Sequence, residues 1–442
     1  MKTLMIFFIL LGNFSLSQKG FQLEADEKVT IPFKFINNLI FIPIKVNGVE
    51  LNFLLDSGVN ETIMFGLNEN EVEFKNTEKI KFSGLGENID IEGLKTINNQ
   101  LQIHPKFFDN SHTLYIILNQ EINFSDHIGV EVNGVIGYHF FANYPIKIDF
   151  KTKKITVFKP SKKWDKQIKN FEKLPLSIEQ NKPYLQADVE VSKEKNNSKL
   201  LLDLGNSDAL WLFPSVIQDF IYKRPHIDDY LGRGFNGEIF GKRNRIHGLY
   251  FGSFKFDKPL SAMPDAYSIQ HLKLVANRKG SIGNEILRRF TLLFDYQNSS
   301  IYLRKNSDYN APFLFNKSGL DIKHDGMNWE ADLVKVQTSK KDASHGIELW
   351  QKQDNFQYKF VLKPQFSIAG CRKDSPCSQA GLKAGDKILS IGSKKANVLT
   401  LEKINYLLKA SEDGYKLKIR VERNTEVLDF YLILEDPIPY QD

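Results

Sequence analysis

Two segments of this chain carry the same residue pattern, and the same features follow each of them. Leu54–Gly58 reads LLDSG and Leu201–Gly205 reads LLDLG. At nearly the same distance beyond them lie Gly134–Gly137, which reads GVIG, and Gly280–Gly283, which reads GSIG. A repeat of this length predicts two similar lobes related by a pseudo-two-fold axis. Each lobe then supplies one carboxyl group to the interface between them.

Alternating apolar residues predict that both lobes consist mainly of β-strands. In the first copy Leu39–Val46 and Leu51–Leu55 are strand-like, and the Asn-Gly pair between them suits a tight hairpin turn. The second copy repeats this order, with Lys199–Leu202 as the returning strand. The returning strand thus delivers the Asp in both copies. We expect the first lobe to span residues 18–160 and the second to span residues 161–308.

The composition is that of an ordinary globular protein. Of 442 residues, 42% are apolar and 25% are charged. The formal net charge of +6 is small for this length, and Lys and Arg form no block. We therefore expect no nucleic-acid site.

The N-terminus has the pattern of a secretory signal peptide. Lys2 precedes the apolar run Leu4–Leu11, and Ser15 and Ser17 supply the small residues that precede a cleavage site. We expect residues 1–17 to be removed and the mature chain to be periplasmic or extracellular. No other segment approaches the ~18 apolar residues that a membrane helix needs, so no membrane span is expected.

Cysteine and histidine usage predicts no metal site. The chain has two cysteines, Cys371 and Cys377, and nine histidines without the spacing of metal ligands. In an oxidising compartment the two cysteines can form a disulfide, and the alternative is a pair of buried thiols. We expect neither a metal nor another cofactor.

Each half also contains a glycine-punctuated hairpin between its Asp and its Ile-Gly pair. Gly84, Leu85 and Gly86 mark the hairpin of the first half, and Gly234 and Phe235 mark that of the second. Hairpins of this kind can cover a cleft as mobile flaps. We expect Leu85 and Phe235 to contact a substrate in the cleft.

The sequence pattern changes near residue 350. Residues 309–350 combine strand-like segments, such as Leu333–Val336, which could complete the second lobe, with an exposed linker at Lys340–Gly346. Residues 351–437 are predicted to form a separate small α+β unit. In it Ser375–Leu382 opens a short helix and Leu401–Lys409 forms a longer one.

These features resemble two known families. The two Asp-bearing halves resemble the retropepsin/pepsin clan of aspartyl peptidases, with both halves fused in one chain. Ser375–Ile388, which reads SPCSQAGLKAGDKI, resembles the PDZ domains of secreted bacterial proteins. The two resemblances cover nearly all of the chain after the signal peptide. They imply a mainly β fold with two pseudo-symmetric pepsin- or retropepsin-like lobes, followed by a small α+β PDZ domain.

Two carboxyl groups held about 3 Å apart can hydrolyse a peptide bond without a metal or a covalent intermediate. Because two like charges at that distance cannot both ionise, the pair holds one proton. One carboxyl then acts as a base toward water and the other as an acid. Asp56 and Asp203 are the candidates for this catalytic pair. Gly58 and Gly205 allow both active-site loops to turn tightly beside it.

The resemblance to aspartyl peptidases implies a role for the residue between each Asp and Gly. In that clan its hydroxyl bonds to the backbone of the opposite loop and holds the two carboxyl groups coplanar. Ser57 can do this and is the third candidate catalytic residue. Leu204 has no hydroxyl, so one of the two bonds is missing. Ser207 lies close to the second loop and is a candidate to replace it.

The PDZ resemblance implies a peptide-binding strand. We expect Phe366, Ser367 and Ile368 to receive a peptide or protein partner by strand addition, and the alternative is that this groove packs against the lobes. Three functions remain open for the whole chain. It is an exported aspartic endopeptidase acting on peptides or proteins, an inert peptide-binding or scaffold protein of the cell envelope, or an assembly module led by the PDZ domain.

Overall fold

A computed structural model gives the fold of the protein. The structure describes residues 20–65, 71–82, 91–118, 125–160, 164–191, 194–214, 225–234, 237–269, 274–342 and 349–441. The expected signal peptide and four expected flap residues, Gly84, Leu85, Gly86 and Phe235, lie outside these ranges. Strands predominate over helices in the described chain and form four sheets there. The prediction of a mainly β fold is confirmed.

The first lobe is built almost entirely from strands. They are β1 (Gln22–Leu23), β2 (Lys28–Pro32), β3 (Lys34–Ile36), β4 (Leu39–Val46), β5 (Val49–Leu55), β6 (Ile63–Met64), β7 (Thr77–Phe82), β8 (Ile91–His104), β9 (Phe107–Ile117), β10 (Gly134–Ile136), β11 (Ile146–Asp149) and β12 (Lys154–Phe158), with helices α1 (Ser125–Ile128) and α2 (Tyr138–Phe141). The main sheet has the order β1-β9-β6-β10-β5-β4-β8-β7, with β3 beside β4. Because β8 also pairs with β9, this sheet curls back on itself.

The second lobe repeats this architecture. Its strands are β13 (Glu172–Pro175), β14 (Ser177–Glu179), β15 (Lys182–Glu190), β16 (Lys195–Leu202), β17 (Leu210–Leu212), β18 (His226–Gly234), β19 (Gly237–Arg245), β20 (Gly248–Phe251), β21 (Phe254–Asp257), β22 (Leu260–Pro264), β23 (Arg278–Ile282), β24 (Phe290–Asp295) and β25 (Ser300–Lys305), and its helices are α3 (Trp164–Ile168), α4 (Ala266–Ile269) and α5 (Asn284–Leu287). Its main sheet has the order β18-β19-β22-β17-β23-β16-β15-β20-β21, with β14 beside β15.

A third sheet joins the two lobes. Its order is β13-β25-β24-β11-β12-β2, so each lobe contributes three strands. At its centre β11 and β24 are antiparallel, with Ile146 opposite Phe294 and Ile148 opposite Leu292. All four of these side chains are fully buried. This apolar pairing fixes the orientation of one lobe relative to the other.

Burial alternates along the strand that leads to Asp56. In β5 the side chains of Leu51, Phe53 and Leu55 lie in the main core, whereas Asn52 and Leu54 are only partly buried on the other face. This period of two is what a strand requires. Each large apolar side chain in that core stabilises the fold by about 1.5–3 kcal/mol. The alternation therefore fixes the register that places Asp56 at the strand end.

The two main sheets have the same local topology around each Asp. β5 is parallel to β10, with Leu55 opposite Ile136, and β16 is parallel to β23, with Leu202 opposite Ile282. β10 and β23 then pair antiparallel with β6 and β17. The repeat seen in the sequence is therefore a repeat of structure.

The C-terminal unit has its own sheet and its own core. Its elements are β26 (Leu320–Asp342), β27 (Leu349–Cys371), α6 (Pro376–Ala380), β28 (Lys387–Ile391), β29 (Lys394–Lys395), a 3-10 turn (Ala396–Val398), α7 (Leu401–Ala410), β30 (Tyr415–Arg423) and β31 (Glu426–Leu434). The sheet order is β26-β27-β28-β30-β31, with β29 beside β28. Ile404 and Leu408 of α7 are fully buried in this core.

The structure corrects the expectation for residues 309–350. The sequence left open whether Leu333–Val336 completes the second lobe. It lies instead in β26, which pairs with β27 from Leu320 opposite Cys371 to Asp342 opposite Leu349. Strand-like segments do not identify their partner, and here the partner is in the C-terminal sheet. Of the expected linker at 340–346, residues 340–342 belong to β26 and the rest lie outside the described residues.

The chain end ties the C-terminal unit to the second lobe. Arg245 in β19 donates from Nε to the carbonyl oxygen of Ile438 over 3.0 Å. Its Nη2 donates to Asp436 Oδ2 over 2.9 Å and to the carbonyl oxygen of Phe313 over 3.1 Å. One guanidinium group thus binds the segment before the C-terminal unit and the segment after it.

Candidate active site

The two Asp residues occupy equivalent positions at the ends of equivalent strands. Asp56 directly follows β5, and Asp203 directly follows β16. Each donates its backbone N–H to the isoleucine carbonyl of the neighbouring parallel strand, Ile136 or Ile282, and each of these bonds is 2.9 Å long. The prediction that the returning strands present both Asp side chains at one place agrees with this geometry.

Each carboxyl group lies against the glycine of the opposite loop. A Cβ atom on Gly58 would lie 3.1 Å from Asp203 Oδ1, and a Cβ atom on Gly205 would overlap the carboxyl group of Asp56. Each glycine also donates its backbone N–H to the Asp of its own loop, over 2.7 Å from Gly58 to Asp56 and over 3.1 Å from Gly205 to Asp203. A side chain at Gly205 would displace the carboxyl group of Asp56, and one at Gly58 would leave the carboxyl groups only tight contacts.

The carboxyl groups of Asp56 and Asp203 meet beside Gly58, where Oδ1 of each lies 3.1 Å from the position that a Cβ atom on that glycine would take. Burial and the negative charge of Asp203 raise the pKa of Asp56 to about 8. Burial also raises the pKa of Asp203, while Arg278 and the N–H of Gly205 oppose that rise. Both side chains keep some contact with solvent. The pair therefore holds a proton at a position that water can reach.

Ser57 forms one of the two expected hydrogen-bonded connections between the loops. Its fully buried hydroxyl donates to the carbonyl oxygen of Leu202 over 2.7 Å and accepts the backbone N–H of Leu204 over 3.0 Å. Leu204 is also fully buried but offers only hydrocarbon. The side chain of the first loop is therefore hydrogen-bonded to the backbone of the second loop, whereas the side chain of Leu204 makes no such bond to the first loop.

Ser207 does not replace the missing bond. It is exposed, and its backbone carbonyl accepts a bond from Asn38 of the first lobe over 3.1 Å. Its hydroxyl has no hydrogen-bond partner among the residues that the structure describes. The second loop is instead held by Asn284, whose Nδ2 donates to the carbonyl oxygen of Leu204 over 2.6 Å.

Both expected flap hairpins are present up to the limits of the described chain. In the first lobe β7 and β8 pair until Phe82 opposite Ile91, just short of Gly84–Gly86. In the second lobe β18 and β19 pair until Gly234 opposite Gly237, on either side of Phe235.

Sequence reasoning missed two basic residues beside the pair. Lys182 begins β15, and its charge acts on both Asp56 and Asp203. Arg278 begins β23, and its charge acts on Asp203. A position-by-position comparison of the two copies could have found them, because the first copy has Leu39 and Val132 at the corresponding places.

The expected peptide-binding strand is corrected by the structure. Phe366, Ser367 and Ile368 lie in β27, which β26 pairs on one side and β28 on the other, with Ser367 opposite both Lys323 and Lys387. The N–H of Ile368 donates to the backbone carbonyl oxygen of Asp386, and the carbonyl oxygen of Ile368 accepts the N–H of Gly385. A peptide cannot add to a strand whose backbone groups are already paired. The edges of this sheet are β26 and β31.

Cys371 and Cys377 form a disulfide, with their Cα atoms 5.7 Å apart. Of the two alternatives that the sequence left open, the structure contains the bonded one. The bridge joins the end of β27 to the first turn of α6, where Ser375 caps the helix by accepting the N–H of Ser378. The bridge therefore closes the short loop that enters this helix.

A cavity of about 430 Å³ lies between the hairpin of the second lobe and the C-terminal unit. It is lined by residues of both, namely Tyr230, Glu238, Phe240, Asp321, Lys323, Ile368, Ala369, Ala384 and Gly385. The side of β27 that was expected to bind a peptide thus faces this hairpin.

The described residues contain no group of three or more His, Cys, Asp or Glu side chains arranged to hold a metal ion. None of the helices described is long and apolar enough to cross a membrane.

Comparisons with known proteins recognise one part of this architecture. Residues 346–434 match the family model described as PDZ domain. No curated protein matches the chain. Among solved structures, the crystal structure of aspartic proteinase from Irpex lacteus is similar at 10% identity and a TM-score of 0.43, covering 65% of this chain and 99% of that one. Residues 346–434, which contain β27–β31 and both helices of the C-terminal unit, form a PDZ domain.

Proposed function

We propose that the two lobes form an aspartic endopeptidase. One observation carries the proposal: the carboxyl groups of Asp56 and Asp203, one from each lobe, meet at the same place, and each lies against the glycine of the opposite loop. A structural role alone does not explain why two half-buried carboxyl groups meet, because withdrawing such a pair from water costs free energy.

The chemistry follows from the single shared proton. The ionised carboxyl group accepts a proton from a water molecule that attacks the peptide carbonyl, and the protonated one donates its proton to the reacting peptide. Transfer of a proton to the leaving amine then breaks the C–N bond. Ser57 positions both loops, because its hydroxyl bonds to the backbone on either side of Asp203.

One observation favours a second function. Leu204 removes the reciprocal bond between the loops, and a pair that is held less firmly stabilises a transition state less well. The second candidate is therefore a protein that binds peptides in the same cleft without cleaving them.

Hydrolysis of an unfolded polypeptide such as denatured casein separates the two candidates. An active enzyme releases peptides, and Asp56→Asn or Asp203→Asn lowers the rate by about a thousandfold or more, since each variant lacks the proton transfer. Asp149→Asn is the matched control, because Asp149 only accepts the N–H groups of Lys151 and Thr152 in a turn. Undiminished cleavage by Asp56→Asn rejects the mechanism. Binding without cleavage by the wild type supports the second candidate.

We also propose that the protein is exported. The N-terminal sequence pattern supports this, and so does the disulfide between Cys371 and Cys377, because disulfides persist in oxidising compartments. Expression of the full chain in a bacterium, followed by N-terminal sequencing, tests the proposal. A mature chain that begins at Gln18 and is found outside the cytoplasm is expected, and an unprocessed cytoplasmic chain contradicts it.

The PDZ domain is a peptide- or protein-binding module, and we propose that it recruits long substrates to the cleft. A chain without residues 320–442, which keeps Tyr309 and Phe313 in the core of the lobes, should then hydrolyse a short peptide at the wild-type rate but show a higher KM for denatured casein. Hydrolysis of the short peptide is the internal control for folding of the lobes. An unchanged KM for casein argues against recruitment and leaves a separate binding role for the domain.

A further inference from the structure

The two sides of the cleft differ in charge next to the carboxyl pair. Lys182 Nζ has no hydrogen-bond or ion-pair partner among the residues that the structure describes. Arg278 has no carboxylate partner within ion-pair distance among those residues either, although its charge acts on Asp203. The two positive charges exceed the single negative charge that a pair with one shared proton carries.

The lobe repeat shows that folding does not require these cations. Tyr184 lies opposite Leu201, as Phe41 lies opposite Leu54, so Lys182 corresponds to Leu39. Gly280 and Gly134 occupy equivalent positions in the parallel pairs, so Arg278, two residues earlier, corresponds to Val132. In the first lobe these positions belong to an apolar cluster of Leu39, Phe41 and Val132. The same strands therefore form with hydrocarbon where the second lobe has charge.

Arg278 is held in place by its neighbours. Its Nη2 donates to Ser281 Oγ over 3.0 Å, its Nε donates to the carbonyl oxygen of Gly280 over 3.3 Å, and its guanidinium lies 5.3 Å from the centre of the Phe213 ring. The register of β15 and β16 sets Lys182 level with Asp203, and the charge of Arg278 acts on Lys182, so the two cations can together attract one carboxylate.

The carboxylate of the neighbouring strand does not serve this purpose. Glu179 precedes Lys182 in the same hairpin, but its Oε1 accepts a bond from Lys199 Nζ over 2.8 Å. Among the described residues, no carboxylate therefore forms an ion pair with either of the two cations.

We propose that Lys182 and Arg278 form a subsite that binds a carboxylate of the substrate, next to the bond that is cleaved. This inference rests on the proposed peptidase function and adds its substrate class, namely peptides with an acidic group at one fixed position from the cleaved bond. An Asp or Glu side chain and a terminal carboxylate offer the same chemistry, and the test distinguishes them.

The test compares three decapeptide pools, each apolar apart from one variable position. The first pool is acetylated and amidated with Glu at that position, the second is identical with Gln, and the third has Gln and a free C-terminal carboxylate. Cleavage sites and kcat/KM are measured by mass spectrometry with the wild-type chain. We expect kcat/KM to be about tenfold or more higher for the Glu pool, since a bond between charged groups carries this much selectivity. Preference for the third pool instead assigns the subsite to a terminal carboxylate.

Variants of Lys182 test whether this side chain causes the preference for Glu. Lys182→Met should remove the preference for Glu, whereas Lys182→Arg should retain most of it. Lys279→Met is the matched control, because Lys279 lies beside Arg278 on the same strand but donates to the carbonyl oxygen of Asn197. A preference that survives Lys182→Met overturns the assignment.

Binding distinguishes failure of the subsite from failure of the peptidase. If no pool is cleaved, affinity of the full-length Asp56→Asn chain for the three pools is measured by fluorescence anisotropy. Tighter binding of an acidic pool, lost in the added Lys182→Met change, supports the subsite and refutes the peptidase. Equal cleavage or equal binding of all three pools overturns the subsite, whatever the activity.

Discussion

The hydroxyl of Ser57 accepts the backbone N–H of Leu204 over 3.0 Å, and this bond connects the two loops that carry Asp56 and Asp203. The same hydroxyl donates to the carbonyl oxygen of Leu202 over 2.7 Å. Because Leu204 cannot return the bond, the whole hydrogen-bonded connection through this position depends on one side chain.

Ser57→Ala should therefore affect activity more than a surface change of equal size. The buried N–H of Leu204 loses its partner, which costs about 1–3 kcal/mol, and the carboxyl pair loses its alignment. We expect kcat to fall at least tenfold with little change in KM, measured on a peptide substrate. Ser57→Thr keeps the hydroxyl and is the control. If Ser57→Ala keeps the wild-type kcat, this bond does not position the pair.

Leu204→Thr tests the missing bond from the other side. Leu204 is fully buried in the main core, so the smaller side chain should lower the free energy of unfolding by about 1–3 kcal/mol. The new hydroxyl can bond to the backbone of the first loop, and we expect kcat to rise or stay the same. Leu204→Val is the matched control because it loses volume without gaining a hydroxyl. A lower kcat in the Thr variant than in the Val variant contradicts this prediction.

The raised pKa of Asp56 predicts how stability depends on pH. Burial first, and Asp203 second, move this pKa from 3.8 to about 8. Between these values the folded chain holds a proton that the unfolded chain has released, so this stabilisation is complete below pH 3.8 and is lost as the pH rises toward 8. The change is on the order of 1 kcal/mol per pH unit at most. In urea unfolding from pH 5 to 8, the free energy of unfolding should fall less steeply with pH for Asp56→Asn than for the wild type. Parallel curves refute the raised pKa.

The same proton predicts the pH profile of hydrolysis. Activity should fall as the pH passes about 8, because the acid of the pair is then lost. The positive charge of Lys182 lowers the pKa of Asp56, so Lys182→Met should move this fall to higher pH. The profile of kcat/KM on an uncharged peptide measures the shift, and Lys279→Met serves as the control. A shift to lower pH is incompatible with the position of Lys182.

Arg245 predicts how firmly the PDZ domain is attached. Its guanidinium bonds to Asp436, Ile438 and Phe313, so Arg245→Met should lower the free energy of local opening at residues 435–441 by about 1–3 kcal/mol. Amide hydrogen exchange measures this. Arg420→Met, which removes an exposed pair with Asp429, should leave exchange of these residues unchanged. Unaltered exchange in Arg245→Met shows that other contacts hold the chain end.

The disulfide predicts a redox dependence confined to the PDZ domain. It closes a loop between residues six positions apart, so reduction should destabilise the domain by about 2 kcal/mol. Thermal unfolding with and without a reductant measures the loss. In a chain with both cysteines replaced by Ser the reductant should have no effect, and an effect there would falsify the attribution to this bond.

Much of the architecture could be predicted because it depends on local patterns and their spacing. The period of two in Leu51–Leu55 predicted a strand, and the repeat of Asp-x-Gly predicted where two strands end. The SPCSQAGLKAGDKI segment predicted the PDZ domain. The partner of Leu333–Val336 could not be predicted in this way, because a strand pattern states that a segment pairs but not with which neighbour.

The sequence by itself determined that the chain is duplicated, mainly β and provided with one carboxyl group per half, since these properties follow from residue order and periodicity. Only the tertiary structure decided that Asn284 rather than Ser207 holds the second loop, that the described β27 is paired on both sides at Phe366–Ile368, and that the charges of Lys182 and Arg278 act on Asp203. The physical reason is the register between strands distant in the chain. A shift of one residue would turn each of these side chains to the other face of its sheet.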